Sequence, residues 1–333
     1  SELFGLPVAN SSLYDGATAL VEGMIMCIAG TRRRRVVVAG GLDPRYQEIL
    51  ATYAPGLNAE LVAAPVDASG ALDHARTAEL TPDAAAVVVQ HPNAVGVLEG
   101  IPALAGLAHD AGARLLVAFD PLLAGVLEPP GRLGADIVVG DGLSLGNAMS
   151  FGGPGVGLLA CSEADVRRLP GRLVGETLDS EGRRAYVLTL QAREQHIRRE
   201  KATSNICTNQ SLNALATAVY FSWLGPRGLV EVGEACLAGA AYARQRLAEV
   251  AGVELAHPEA PVGKEFALRL ADPVGTATSL AGRGYLVGPV LELGAERLLL
   301  VAVTEERTRD QIDGLAEVLS VVLAGSGTPG AVA

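Results

Sequence analysis

The sequence predicts an α/β protein: a large domain built on a mainly parallel sheet, followed by a smaller α+β domain at the C-terminus. Three observations predict it. Short runs that are apolar throughout, such as Val36-Val-Val38 and Leu115-Leu-Val117, alternate with helical patterns over the first two-thirds of the chain. Strands buried on both faces need this composition. Apolar residues make up 49% of the 333 positions and charged residues only 19%, enough for an extensive core. From about Gly225 the pattern changes to one long helical stretch followed by a few separated strands and helices.

In chain order, Asp15-Gly-Ala-Thr18 opens a helical apolar pattern running to Ile28, and Arg35–Ala39 reads as a strand that meets Gly40-Gly41. Asp43 is placed to cap a helix carrying Pro44 in its first turn. Strand Ala86–Gln90, a helix over Ile101–Ala111, strands Arg114–Phe119, Asp136–Gly140 and Gly155–Cys161, and a helix from Ser162 follow. The last third reads as helix Gly228–Val250, strand Glu265–Leu270, helix Thr276–Arg283, strand Leu298–Val303 and helix Thr308–Leu323. These assignments put the large domain at 1–224, the small domain at 225–325 and a disordered tail at 326–333.

Composition excludes several function classes. The net charge of −11 and pI near 5.0 oppose nonspecific nucleic-acid binding, which needs phosphate neutralisation. The basic run Arg32–Arg35 reads as a solvated helix-to-strand connection. No apolar run approaches the roughly 20 residues that cross a bilayer, and no secretory leader is visible, so the cytoplasm is expected. The chain begins at Ser1 and is expected to be a fragment or a processed form. Four cysteines (Cys27, Cys161, Cys207, Cys236) lie far apart in sequence, as free thiols in a reducing compartment would. The five histidines lack metal-ligand spacing, so no metal site is expected.

Gly152-Gly-Pro-Gly-Val-Gly157 looks like a nucleotide loop, but a strand follows it where phosphate binding wants a helix N-terminus. Gly40-Gly41 follows a strand but lacks a third glycine. Asp15-Gly-Ala-Thr18 can either hold an anion at a helix N-terminus, with Thr18 adding a hydroxyl, or simply start a capped helix. Asp120 ends an apolar strand and precedes Pro121, which sets its carboxylate at the carboxyl edge of the sheet, where α/β proteins bind ligands. The segment Arg193-Glu-Gln-His-Ile-Arg-Arg-Glu-Lys-Ala-Thr-Ser-Asn-Ile-Cys-Thr-Asn-Gln210 is the densest set of cations, amides and hydroxyls in the chain. Groups of this kind handle carboxylates or phosphates. A buried charge network joining its arginines to Glu194 and Glu200 is the alternative.

Two resemblances follow from these residues. The helix after Gly-Ala-Thr and the strand-end Asp120 resemble the large domain of fold-type-I pyridoxal-phosphate enzymes, the aspartate-aminotransferase superfamily. There such a turn grips the cofactor phosphate and such an aspartate pairs with its pyridinium nitrogen. That chemistry needs a Schiff-base lysine shortly after a later strand, and Gly140–Gly155 contains none. The two lysines are Lys201, in the charged segment, and Lys264, at the start of a small-domain strand. Neither is expected in the lysine's place.

Arg193–Gln210 also resembles a signature of the glycine dehydrogenase (decarboxylating) family, the P-protein of the glycine cleavage system, and within it the alpha subunit (subunit 1) of the two-chain form. So do Val8–Thr18, Gly134–Gly140, Phe151–Pro154, Pro170–Thr177, Lys264-Glu-Phe-Ala267 and Val303-Thr-Glu305. The resemblance implies an oxidoreductase subunit that lacks the lysine and completes the site of a beta subunit (subunit 2) carrying pyridoxal 5'-phosphate. Glycine would be decarboxylated there and its aminomethyl group passed to the lipoyl arm of the H-protein. It further implies Arg193, His196, Arg198, Arg199, Lys201 and Asn205 near that interface, with Asp15, Thr18 and Asp120 as vestiges of a cofactor pocket. Family members also carry an aromatic-rich N-terminal segment ahead of the first residue here. The rivals are an independent pyridoxal-phosphate enzyme using Lys201 or Lys264, and a non-catalytic scaffold of the same fold.

Overall fold

The computed structural model describes residues 1–207 and 209–326. β1 (Val8–Ala9) precedes α1 (Gly16–Thr31), β2 (Arg35–Ala39), α2 (Pro44–Leu57), β3 (Glu60–Ala64), α3 (His74–Leu80), β4 (Ala84–His91), α4 (Ile101–Asp110), β5 (Arg114–Phe119), β6 (Ile137–Asp141) and β7 (Gly157–Cys161). These strands form one seven-stranded sheet of order β1-β7-β6-β5-β4-β2-β3. β3, β2, β4, β5 and β6 are mutually parallel, while β7 runs antiparallel to both β6 and β1.

The all-apolar strands make sense in this setting. Successive side chains of a strand point to opposite faces. Val36 and Val38 of β2, with Leu116 and Ala118 of β5, pack under α1 and α2. Their neighbours Val37, Ala39, Leu115, Val117 and Phe119 pack under α3 and α4. Both faces are covered, so no polar alternation is possible. α1 lies closest to the sheet, and a Cβ on Gly23 would meet Leu116 at 2.7 Å.

The remaining elements are β8 (Leu173–Leu178), β9 (Arg184–Thr189), α5 (Gln195–Arg198), α6 (Ser211–Ala248), β10 (Glu254–Leu255), β11 (Glu265–Arg269), α7 (Pro273–Ala281), β12 (Val290–Leu293), β13 (Glu296–Ala302) and α8 (Arg309–Ser326). β8 and β9 form an antiparallel hairpin. A four-stranded antiparallel sheet of order β10-β11-β13-β12 buries Leu299 and Val301 against α6, α7 and α8. Its other face, with Leu298 and Leu300, packs on Ala94, Val95 and Val97 beyond the end of β4.

Several expectations need correction. The long helix begins at Ser211 rather than Gly228 and is broken at Gly225 (φ 63°, ψ 178°), directly before Pro226. Its first half turns Leu212, Leu215, Val219 and Trp223 outward and Tyr220 and Phe221 inward, so no one-sided apolar stripe marks it. The helix expected from Ser162 is a 3-10 turn over Glu163–Arg168. β3, α3, β8, β9, β10 and β12 were not anticipated, because they are short or mostly exposed. The expected tail at 327–333 lies outside the described residues, while Ser326 closes α8.

No helix among the described residues is long and apolar enough to cross a membrane. Among them no group of three or more His, Cys, Asp or Glu side chains could hold a metal ion.

Candidate functional site

The parallel strands end together, and their C-terminal residues line a cleft of about 320 Å³. Gln90 comes from the end of β4, Asp120 follows β5 and Asp141 ends β6. Asp43, Arg45 and Tyr46 enter from the start of α2, while Lys264 and Glu265 enter from the start of β11. A cleft outside the carboxyl ends of parallel strands is where this architecture binds ligands.

The main finding concerns Lys264, which was expected to lie away from this position. Its ammonium is 2.5 Å from Asp120 Oδ2. The segment before β11 crosses the end of β4: Val262 bridges Val97, and the Gly263 N–H donates to the Gly96 carbonyl (2.9 Å). Gly96 has φ +86°, and a Cβ there would stand 1.8 Å from the Glu265 carbonyl oxygen. Only glycine permits so close a crossing. Burial is the largest single influence and opposes the Lys264 charge, but the bonded Asp120 carboxylate with Glu265 and Cys236 together outweigh it, so the Lys264 pKa lies above the usual lysine range. A lysine held charged is no nucleophile.

The N-terminus of α1 is closed in a related way. Asp15 Oδ1 accepts from the Thr18 N–H (2.7 Å) and from the Thr18 hydroxyl (2.9 Å), and the Asp15 N–H donates back to that hydroxyl (3.2 Å). This is a complete capping box. The Gly16 N–H donates to Asp141 Oδ2 (2.9 Å), and a Cβ on Gly16 would collide with the Tyr46 hydroxyl at 2.3 Å. Burial first, then the charges of Asp141, Asp43 and Asp15, push the Tyr46 phenol far above its usual pKa.

The charged segment lies elsewhere. None of Arg193, His196, Arg198, Arg199, Lys201 and Asn205 lines the cleft. Arg193 donates to three carbonyls: Leu169, Gly171 (2.9 Å) and Leu190 (3.1 Å). It therefore clamps the Leu169–Gly171 turn and is no free anion-binding cation. The network with Glu194 and Glu200 forms only in part: Glu194 faces His196 and its charge acts on Arg193, with no arginine ion pair to either carboxylate among the described residues. Buried Glu194 approaches His196 at 3.7 Å, while Glu200 is exposed. Arg198 donates to the Lys201 carbonyl (2.9 Å), and Arg199, Lys201 and Asn205 are exposed. Arg193→Ala is expected to leave these carbonyls without a donor and to destabilise the fold by roughly 2–4 kcal/mol. Arg193→Lys should recover less than half of this, because an ammonium cannot reproduce the fork. Denaturant titration of the three proteins checks it.

A second surface adjoins the cleft. Asn213 of α6 donates to the Pro154 (2.7 Å) and Gly155 (2.9 Å) carbonyls, and Asn147 donates to Thr217 (2.9 Å). The loop after β6 and the first half of α6 thus form one unit. It presents Met149 (79% exposed), Leu212 (78%) and Trp223 (82%), with Phe151, Leu215 and Val219 also exposed. An apolar patch of this kind marks an interaction surface.

Sheet order, a cleft at the carboxyl edge and a strand-end aspartate give the chain the fold of the fold-type-I pyridoxal-phosphate enzymes. Two solved structures share the fold at low identity: a Burkholderia pseudomallei sphingosine-1-phosphate lyase (15% identical, TM-score 0.68, covering 93% of this chain and 69% of that one), and a Thermococcus onnurineus cysteine desulfurase (18%, TM-score 0.69, 94% and 79%). Residues 1–319 match the family described as "Glycine cleavage system P-protein". A crystal structure of glycine decarboxylase (P-protein) of the glycine cleavage system, in inhibitor-bound form, is 46% identical with a TM-score of 0.91, covering 97% of this chain and 73% of that chain. A Thermomicrobium roseum protein named "Probable glycine dehydrogenase (decarboxylating) subunit 1" is 47% identical over 323 residues, 95% of this chain and 72% of the relative. A Carboxydothermus hydrogenoformans protein of the same name is 46% identical over 322 residues, 96% and 72%. The chain belongs to the glycine cleavage system P-protein family.

The cleft residues do not fit pyridoxal phosphate. No lysine lies in the loop after β6, Asp120 is paired with Lys264, and carboxylates rather than open amides face the start of α1. Sequence reasoning found Asp120 but missed Lys264, Glu265, Arg45, Tyr46 and Asp141 as cleft residues. Asp141 follows a buried strand just as Asp120 does, so the same strand-end rule could have found it.

Proposed function

We propose that the chain is the subunit of glycine decarboxylase that lacks the Schiff-base lysine, and that it completes the site of a subunit of the same fold that carries that lysine, in the cytoplasm. The holoenzyme would remove the carboxyl group of glycine as CO2 and pass the aminomethyl group to the lipoyl arm of the H-protein, with pyridoxal phosphate held by the partner. The single observation carrying this reading is that the loop which should bear the lysine instead builds an exposed apolar face with α6. The name subunit 1 of the relatives agrees with it.

In this reading the chain's own groups act by position. The α6 face excludes water where the two chains meet. His196, Arg198, Arg199, Lys201 and Asn205 offer exposed donors to carboxylates of the partner or along the path of the lipoyl arm. Arg193 holds the turn that supports them, and Asp120, Asp15 and Thr18 are remnants of a cofactor pocket.

Reconstitution tests the proposal. Glycine-dependent exchange of labelled CO2 should require this chain, the lysine-bearing chain and lipoylated H-protein together. Full exchange without this chain would make it a scaffold at most, and exchange by this chain alone would make it an independent enzyme. Arg199→Glu should lower exchange about 10-fold, a loss of one charge-assisted contact, with the melting temperature unchanged. Unaltered exchange would remove the segment from the site.

A further inference from the structure

We infer that the two polar anchor points of the cleft are taken up from within: the Lys264 ammonium stands at Asp120 where a ring nitrogen would otherwise sit, the Asp141 carboxylate accepts from the first N–H of α1 where a phosphate would otherwise dock, and Lys264 thereby ties the four-stranded sheet to the seven-stranded one. The cleft is then a fixed wall of the chain and not a binding site.

The pairing on both sides is complete. Asp120 Oδ1 accepts from the Leu122 N–H (3.1 Å) and Oδ2 meets Lys264 (2.5 Å). Asp141 Oδ1 accepts from the Leu143 N–H (2.8 Å) and Oδ2 from the Gly16 N–H (2.9 Å). Neither carboxylate retains an oxygen without a partner. The charge balance points the same way: Asp43, Asp120, Asp141 and Glu265 face the cleft against Arg45 and Lys264, and Arg45 is already bonded to Asp43. A phosphate dianion entering here would meet a net negative wall in a partly dry site, where like charges repel strongly.

The ion pair also has mechanical leverage. Lys264 and Asp120 side chains are only 13% and 23% exposed. Their neighbours are pinned by backbone bonds: the Leu98 N–H donates to Pro261 (3.0 Å), the Val303 N–H to Lys264 (2.9 Å) and the Asp120 N–H to His91 (3.3 Å). Removing one partner leaves the other charge buried and alone, which costs far more than removing both. The inference concerns this chain's own cleft, so it stands or falls independently of assembly with any partner.

Pyridoxamine 5'-phosphate is a suitable probe, since it carries the ring nitrogen and the phosphate but no aldehyde to react with exposed Lys201. Equilibrium dialysis of the unaltered chain should show no saturable binding up to about 1 mM. Saturable binding below that concentration, competed by pyridoxal phosphate, would overturn the inference. In parallel, Lys264→Met and Asp120→Asn should each lower the melting temperature by about 5 °C or more, and the double variant should lose clearly less than the sum. Additive losses, or no loss in either single variant, would show that the pair ties nothing. If Lys264→Met fails to fold, a double variant Asp120→Asn/Lys264→Met that does fold still shows the coupling, one that also fails to fold counts against it, and dialysis needs no variant.

Discussion

Trp223→Asp is expected to weaken association with the lysine-bearing subunit by at least about 100-fold while leaving the isolated chain as stable as before. Trp223 is 82% exposed, so in the free chain its ring contributes little to the core and its replacement should shift the melting temperature by no more than about 1 °C. At an interface the same position changes meaning. Aromatic anchors at the centre of an apolar patch carry a large share of binding energy, and a carboxylate put there must be buried without a partner. Leu215→Asp, on the same groove of α6, should act in the same direction. Exposed Tyr53 on α2 is absent from this groove and serves as a control. Sedimentation velocity of the mixed chains, with thermal melts of each alone, provides the measurement. A Trp223→Asp chain that still assembles at wild-type affinity would move the interface off this face.

Glu22→Gln is expected to remove a stability loss between about pH 4.5 and pH 7. Glu22 lies on α1, is 5% exposed, and one of its carboxylate oxygens is buried without a hydrogen-bond partner. Burial raises its pKa from 4.5 to about 7, against an opposing hydrogen bond from Ser204. The folded state therefore holds the proton more tightly than the unfolded chain does. The stabilisation is fully present below pH 4.5 and is lost as pH rises through about 7, a difference on the order of 3 kcal/mol. At pH 8, Glu22→Gln should be more stable than the parent by roughly 2–3 kcal/mol, with little difference at pH 4.5. His91 works in the opposite sense: burial lowers its pKa to about 4, so its contribution is present above pH 6.5 and lost as pH falls through 4. The difference between Glu22→Gln and the parent cancels the histidine and isolates Glu22. Parallel stability curves for the two proteins from pH 4.5 to 8 would show that Glu22 is not strained.

The strands of the large sheet were legible because burial on both faces leaves a composition no exposed segment shares. β2 and β5 were bounded as found, and β4, β6 and β7 within two residues. The Asp15, Asp43 and Asp120 assignments worked for a related reason: a cap and a strand end are local events, written in a few adjacent residues. The β8–β9 hairpin escaped notice because most of its residues are exposed. The first half of α6 escaped because Leu212, Leu215, Val219 and Trp223 face outward while Tyr220 and Phe221 face inward, which blurs the one-sided stripe that marks a surface helix. Arg193 was read as a ligand-facing cation from its company in the chain. Its carbonyl partners Leu169 and Gly171 belong to a turn that only folding brings near.

The sequence by itself determined the layered α/β architecture, the strand-end position of Asp120, the absence of a lysine from the loop after β6 and the family to which the chain belongs. The first three depend on residue type and short-range spacing, and the family on the resemblance of whole segments. Only the tertiary structure decided that Lys264 reaches Asp120, that Asp141 closes the start of α1, and that the charged Arg193–Gln210 segment stands apart from the cleft. Such pairings join segments remote along the chain, and their energies depend on distance and burial. Neither quantity exists until the two sheets have packed.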